Sequence, residues 1–255
     1  MTESVSFDRA ADYYDATRSL PDELMDQLVS RLLAELPGEG LCLEIGIGTG
    51  RIALPLKAHG VQVVGVDISQ EMLRKLRVKS RAVPVAIADA TQLPFADATF
   101  TAAIASHVLH LIPRWTAALD QLWRVVRPGG VILASRAGGT RTEWQRAVRR
   151  HFYVAAGDPA WPPGIDTIEQ LDGEMRSRGA TVHEVDDVKS EGLSTISSLL
   201  AALDKGIWSA CWSIDDDVRH RAVAETREWA ARELGDLDAP RPTSHHSDWR
   251  AYVLP

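Results

Sequence analysis

Thiols are scarce in this chain: Cys42 and Cys211 are its two cysteines among 255 residues. Two separated cysteines make neither a disulfide framework nor a Cys-x-x-Cys metal knuckle. Cys42, inside an apolar run, reads as a small buried side chain. No apolar stretch approaches the roughly 20 residues a membrane-spanning helix needs, so no membrane partner is expected. Strongly basic runs are also missing. With 28 Lys+Arg against 35 Asp+Glu the formal net charge is -7, which argues against a nucleic-acid partner. The first 18 residues carry acids and no apolar core segment, so no secretory leader is expected and the cytoplasm is the expected compartment. His245, His246 and Asp248 fall short of a metal-ligand pattern and read as a solvated loop.

What is present is an alternation of strand and helix patterns. Leu41–Ile45 is a short apolar run, Arg51–His59 reads as a helix, and Val61–Val66 is β-branched. Ser69–Ser80 opens on a good N-cap. Val83–Ala88 and Phe100–Ala105 are the next strands, and Arg114–Val126 is amphipathic. Arg127 to Gly130 reads as a turn before a fifth strand, Val131–Ala134. This order predicts an α/β, doubly wound Rossmann-like domain with a parallel sheet. Further on, Glu143–Phe152, Ile168–Arg178, Ser194–Leu203 and Asp216–Leu234 look helical, while Thr181–Asp186 and Trp249–Leu254 look like strands. The reading is a domain over 41–188, a helical insertion over 189–247 on the substrate side, and a final strand over 248–255.

Three strand ends carry chemistry. Leu43 to Arg51 follows a strand and opens a helix with Gly46, Gly48 and Gly50 in Gly-x-Gly-x-Gly spacing. Glycines there permit a tight turn and close approach of a ligand to the backbone. A dinucleotide fingerprint wants its third glycine one position later, where Arg51 stands. Asp67 ends the second strand, 21 positions after Gly46, and is placed to accept from ribose hydroxyls; Ile68 follows to pack on an adenine face. Asp89 and Ala90 end the third strand, where a carboxylate and a backbone N–H suit an adenine edge. Each also has a plain reading: a tight turn, a helix cap, a surface turn.

Together these segments resemble the class I S-adenosylmethionine (SAM)-dependent methyltransferases, in the small-molecule group that includes ubiquinone and menaquinone biosynthesis enzymes. Residues 44–50, 66–69, 89–95, 97–100 and 127–130 carry the resemblance. It implies a seven-stranded sheet with its last strand antiparallel, and SAM as cofactor. It implies that Gly46 and Gly48 border the methionine part, with Glu44, Met72 and Ser106 also near the cofactor. Asp67 would hold the ribose and Asp89 the adenine. Residues 11–18 also resemble the family, whose amino-terminal segment folds over the cofactor as a helical lid, here over 1–40. Tyr14 and Arg18, four apart, would share a helical face beside the methionine end.

His107 and His110 follow the fourth strand, whose end faces the transferred methyl in this fold. Either offers a base near neutral pH; the alternative is a hydrogen-bonded His at a helix start. Trp161, Trp208, Trp212 and Trp229 either line an apolar pocket or pack helices. The expected activity is methyl transfer to O, N or C of a small molecule. A non-catalytic SAM-binding protein remains open, and a macromolecular acceptor is disfavoured by the acidic balance. Ala105 to Val108 stands where amino-methylating DNA enzymes carry an Asn/Asp-Pro-Pro-aromatic motif. Arsenic methylation would need more thiolates than two.

Overall fold

The computed structural model describes residues 4–18, 20–136, 142–186, 188–246 and 248–255. The chain divides into two compact units. The first holds Met1–Ala137, Pro163–Val188 and Ser247–Pro255; the second holds Gly138–Pro162 and Lys189–His246.

The first unit is built on a seven-stranded sheet. Its strands are β1 (Leu41–Ile45), β2 (Gln62–Asp67), β3 (Val85–Ile87), β4 (Phe100–Ser106), β5 (Val126–Ser135), β6 (Thr181–Glu184) and β9 (Trp249–Val253). Their order is β3-β2-β1-β4-β5-β9-β6. Strands β1 to β5 run parallel, and β9 is antiparallel to both its neighbours. Both faces are covered, as a parallel sheet requires. Leu43 and Ile45 join Ala103 and Ala105 in a core with α5 (Trp115–Val125) and α7 (Ile168–Ser177). Cys42, Ala102 and Ile104 point the other way, to α2 (Asp22–Glu35), α3 (Ala53–Ala58) and α4 (Gln70–Lys79). The period of two along β1 and β4 thus serves two cores. Strand order reverses between β1 and β4, which opens a crevice beyond their carboxyl ends.

Three boundaries differ from the sequence reading. The helix expected from Arg51 begins at Ala53, because Gly50 takes φ +83° and its N–H closes a turn on the Ile47 carbonyl. Arg127 to Gly130 lies inside β5, as an irregularity in its pairing with β4 between Phe100 and Ala102, with Gly129 at φ +70°. The expected third strand shrinks to Val85–Ile87.

The second unit also departs from expectation. The sequence pattern over 189–247 predicts helices, yet β7 (Lys189–Ser194) and β8 (Arg241–His246) pair as an antiparallel two-stranded sheet. Helices α6 (Glu143–Ala155), α8 (Ile196–Asp204) and α9 (Asp216–Glu233) share one core around Phe152, Leu200 and Ala230. Helix α6 therefore belongs with α8 and α9 although it precedes Lys189 in sequence. Trp208 and Trp229 pack on this core; the Arg149 guanidinium lies 3.9 Å over the Trp208 ring, and His151 stacks on Trp229 at 4.5 Å. The Trp212 indole donates to the Gly206 carbonyl. Among the described residues no helix is long and apolar enough to cross a membrane, and no cluster of three or more metal-ligating groups occurs.

Candidate active site

A cleft opens at the carboxyl ends of β1 to β4. Its floor is the glycine loop. Gly46 and Gly48 take φ +63° and +56°, which L side chains rarely adopt. A Cβ on Gly46 would meet Val108 Cγ2 at 2.5 Å, and one on Gly48 would stand 3.1 Å from Met72 Cε. The loop is thus pressed between the end of β4 and the start of α4, with bare backbone toward the cleft.

Asp67 braces this loop. One carboxylate oxygen accepts the Gly48 N–H and the other the Ser69 N–H, both at 2.8 Å. Burial pushes the Asp67 carboxyl up, and those two N–H groups oppose the shift. A carboxylate has lone pairs beyond these two bonds. Asp89 holds its own turn by accepting the Thr91 N–H at 2.8 Å. Ile68, Met72, Ala90 and Ser106 complete this wall, and Tyr14 and Phe7 face it from the amino-terminal segment.

That segment is pinned by acids. Asp8 accepts from the Ser69 hydroxyl at 2.6 Å and from the Glu71 N–H at 3.2 Å. Asp15 accepts from the Thr49 hydroxyl and the Lys79 ammonium, each at 2.6 Å. Burial works to raise the Asp15 carboxyl, but the Lys79 and Thr49 bonds outweigh it and hold it below its ordinary value. Asp12 meets Lys75 at 2.6 Å. Phe7 and Tyr14 meet edge to face, with centroids 5.9 Å apart.

The β4 end carries a second cluster. Arg51 Nη2 donates to the Ser106 hydroxyl at 3.2 Å and faces His107 Nδ1 at 3.4 Å; Nη1 lies 3.5 Å from the Arg18 carbonyl oxygen. His107 sits at φ +52° and lines the cleft. Below Arg51 lies buried Glu44, whose Oε2 has no hydrogen-bond partner among the described residues. Burial pushes its carboxyl up to about 8, against the pull of Arg51.

Of the thirteen positions singled out by sequence, ten line this one cleft: Tyr14, Gly46, Gly48, Asp67, Ile68, Met72, Asp89, Ala90, Ser106 and His107. Glu44 lies behind the glycine loop, outside the lining, and Arg18 offers its carbonyl to Arg51 rather than lining the cleft. His110 does not join them: the turn Leu109–Leu111 carries it into the core, 7% exposed and outside the lining. Burial, with the charges of Arg136 and Arg18, pushes its imidazole down to about 3. Sequence reading missed Arg51, Phe7 and the acids of the amino-terminal segment. Asp8, Asp12 and Asp15 at near-helical spacing, against Lys75 and Lys79 four apart, were the available signal.

Comparison with known proteins decides the family. A family model described as a methyltransferase domain matches residues 43–134. Demethylmenaquinone methyltransferase of Streptomyces avermitilis is 34% identical over 189 residues, covering 65% of this chain and 81% of that protein. The chain belongs to the class I SAM-dependent methyltransferases. Malonyl-[acyl-carrier protein] O-methyltransferase of Serratia marcescens is 35% identical over 146 residues, which span 55% of this chain and 56% of that enzyme's length. The YcgJ protein of Bacillus subtilis shares the fold: its TM-score is 0.61 at 15% identity, covering 92% of this chain and 99% of that one.

Proposed function

We propose that the cleft holds SAM across the strand ends and that the protein transfers its methyl group to a small molecule. The observation that carries this reading is the bare glycine backbone at Gly46 and Gly48, beside Asp67 on β2 and Asp89 after β3. A Cβ at either glycine would fill the cradle, and the two carboxylates suit ribose hydroxyls and an adenine amino group. When bound there, SAM supplies a methyl group on a positively charged sulfur, which needs no protein nucleophile.

The chain's own residues align and enclose the reactants. Gly46 and Gly48 let the backbone approach the methionine part; Ile68 and Met72 supply apolar contact; Tyr14 and Phe7 exclude water. Val108, Leu111 and Ile112 give the far side of the cleft an apolar wall. That wall suits an apolar acceptor. The cytoplasm suits a protein whose two cysteines are free and buried.

The test is to incubate the protein with methyl-labelled SAM and a small-molecule extract. A labelled product formed with equimolar S-adenosylhomocysteine supports the reading. Cofactor binding without any product in several extracts favours a SAM-binding protein that does not turn over.

A further inference from the structure

Arg114 stands at the N-cap of α5, yet its side chain makes no capping bond there. A short side-chain oxygen serves that position best, and arginine has none. The guanidinium reaches instead to the loop after β3, where Nη2 donates to the Thr91 hydroxyl at 3.0 Å. Thr91 lies two residues past Asp89, and its N–H donates to one Asp89 carboxylate oxygen at 2.8 Å. The Gln92 N–H closes the same turn on the Asp89 carbonyl at 2.9 Å. Such an Asx turn fixes where the carboxylate points. The other carboxylate oxygen makes no hydrogen bond among the described residues.

The sheet gives this turn little support. Strand β3 is an edge strand that ends at Ile87, and the Ala88 N–H bonds the Asp67 carbonyl at 3.1 Å just before Asp89. Beyond Asp89 the loop is held by side chains of α5. Gln121 accepts the Leu93 N–H at 3.1 Å, and Arg124 donates to the Leu93 and Phe95 carbonyls at 3.0 and 2.7 Å. Those bonds hold the far end of the loop, whereas the Arg114 bond meets the turn that carries Asp89. Thr91 is 8% exposed, so little water competes for its hydroxyl. Arg114 also follows Ile112, on the apolar side of the cleft, by two residues. The bond thus ties the turn after β4 to the turn after β3.

We propose that Arg114 is a positioning residue that acts through Thr91 on Asp89, and that this relay sets the preference of the cleft for adenine by its 6-amino group. The proposal rests on the reading of the cleft as a SAM site. A carboxylate only accepts, so its open oxygen suits a 6-amino donor and gains nothing from a purine with hydrogen at that place. Holding the oxygen at hydrogen-bond distance is the task of the turn, and bracing the turn is the task of Arg114.

The test is calorimetry on the full chain with S-adenosylhomocysteine and with its 6-hydrogen analogue, in which purine replaces adenine. Wild type should bind S-adenosylhomocysteine about tenfold tighter or better, as a bond to a charged acceptor implies. Arg114→Met should weaken S-adenosylhomocysteine about threefold to tenfold and leave the analogue within about twofold. Thr91→Val should do the same, and Thr91→Ser, which keeps the hydroxyl, should keep the preference. The Arg114→Met and Thr91→Val pair should cost no more than either alone, because both cut one relay. Arg114 is exposed, so its variant should fold. If Thr91→Val does not, Asp89→Ala takes its place in the cycle: Arg114→Met should cost nothing further once Asp89 is gone. Equal weakening of both ligands would make Arg114 a general brace of the loop and overturn the proposal. Unchanged affinity in Arg114→Met, additive losses in the pair, or no wild-type preference would overturn it too. Those outcomes leave the cofactor reading standing, whereas a folded wild type that binds no S-adenosylhomocysteine removes that reading and the proposal with it.

Discussion

The Asp8 carboxylate accepts a 2.6 Å hydrogen bond from the Ser69 hydroxyl. Ser69 is also the cap of α4, accepting the Met72 N–H at 3.1 Å. One serine therefore closes the helix that follows β2 and anchors the segment that carries Phe7 and Tyr14 over the cleft. Asp8→Ala should leave the melting temperature nearly unchanged, weaken SAM binding about threefold to tenfold, and expose residues 7–20 to protease even with cofactor present. Unchanged protection in the variant would show that Asp8 is no latch. The Ser69 bond holds the Asp8 carboxyl below its ordinary 3.8. Its contribution is therefore full above that value and lost as pH falls through the lowered one.

Asp67 bridges the Gly48 and Ser69 N–H groups, so its removal disturbs the loop as well as the proposed ribose contact. Asp67→Asn should lose roughly 1.5–3 kcal/mol of SAM affinity, the range for hydrogen bonds to a charged group. Calorimetry on a variant with an unaltered circular dichroism spectrum makes the measurement. Wild-type affinity would remove Asp67 from the cofactor site.

Glu44 gives the fold a pH dependence. Burial raises its carboxyl from 4.5 to about 8 in the folded protein. Its contribution is full below 4.5 and is lost as pH rises toward about 8, because the unfolded chain releases that proton first. Wild type should lose melting temperature between pH 5 and pH 8, and Glu44→Gln should lose less. Parallel curves for the two proteins would place an ionised carboxylate in the interior.

His110 runs the other way. Its imidazole is pushed from 6.5 down to about 3, chiefly by burial. The unfolded chain takes up a proton below about 6.5 while the folded one stays neutral, so acidification through that range destabilises the fold. His110→Leu should flatten that loss, and turnover should stay within about twofold of wild type. A large drop in kcat with an intact fold would instead assign His110 the role of a base.

Much of the cleft was legible because its residues are chosen by backbone geometry. Gly46 and Gly48 take positive φ, Asp67 ends β2 and Asp89 follows β3, two runs that read as strands from sequence. His107 and His110 were not separable. They are alike in type and three apart, and only the tight turn at Leu109–Leu111 sends one to the cleft and the other to the core. The β7–β8 pair left no periodic trace, because Lys189–Ser194 is largely exposed and carries a glycine, and Arg241–His246 carries a proline. Each pairs with the other alone, so neither needs a buried face. Trp208 and Trp229 show the reverse, since tryptophan composition alone does not distinguish a pocket wall from the packing of α6, α8 and α9.

The central claim is that the strand-end cleft is built for SAM and not for a dinucleotide. A calorimetric titration of the full chain with S-adenosylhomocysteine, and separately with NAD, tests it most directly. The glycine spacing, with Arg51 where a dinucleotide site has its third glycine, predicts micromolar or tighter binding of the first and no heat from the second. NAD binding, or a folded protein that gives no heat with S-adenosylhomocysteine, would contradict the account.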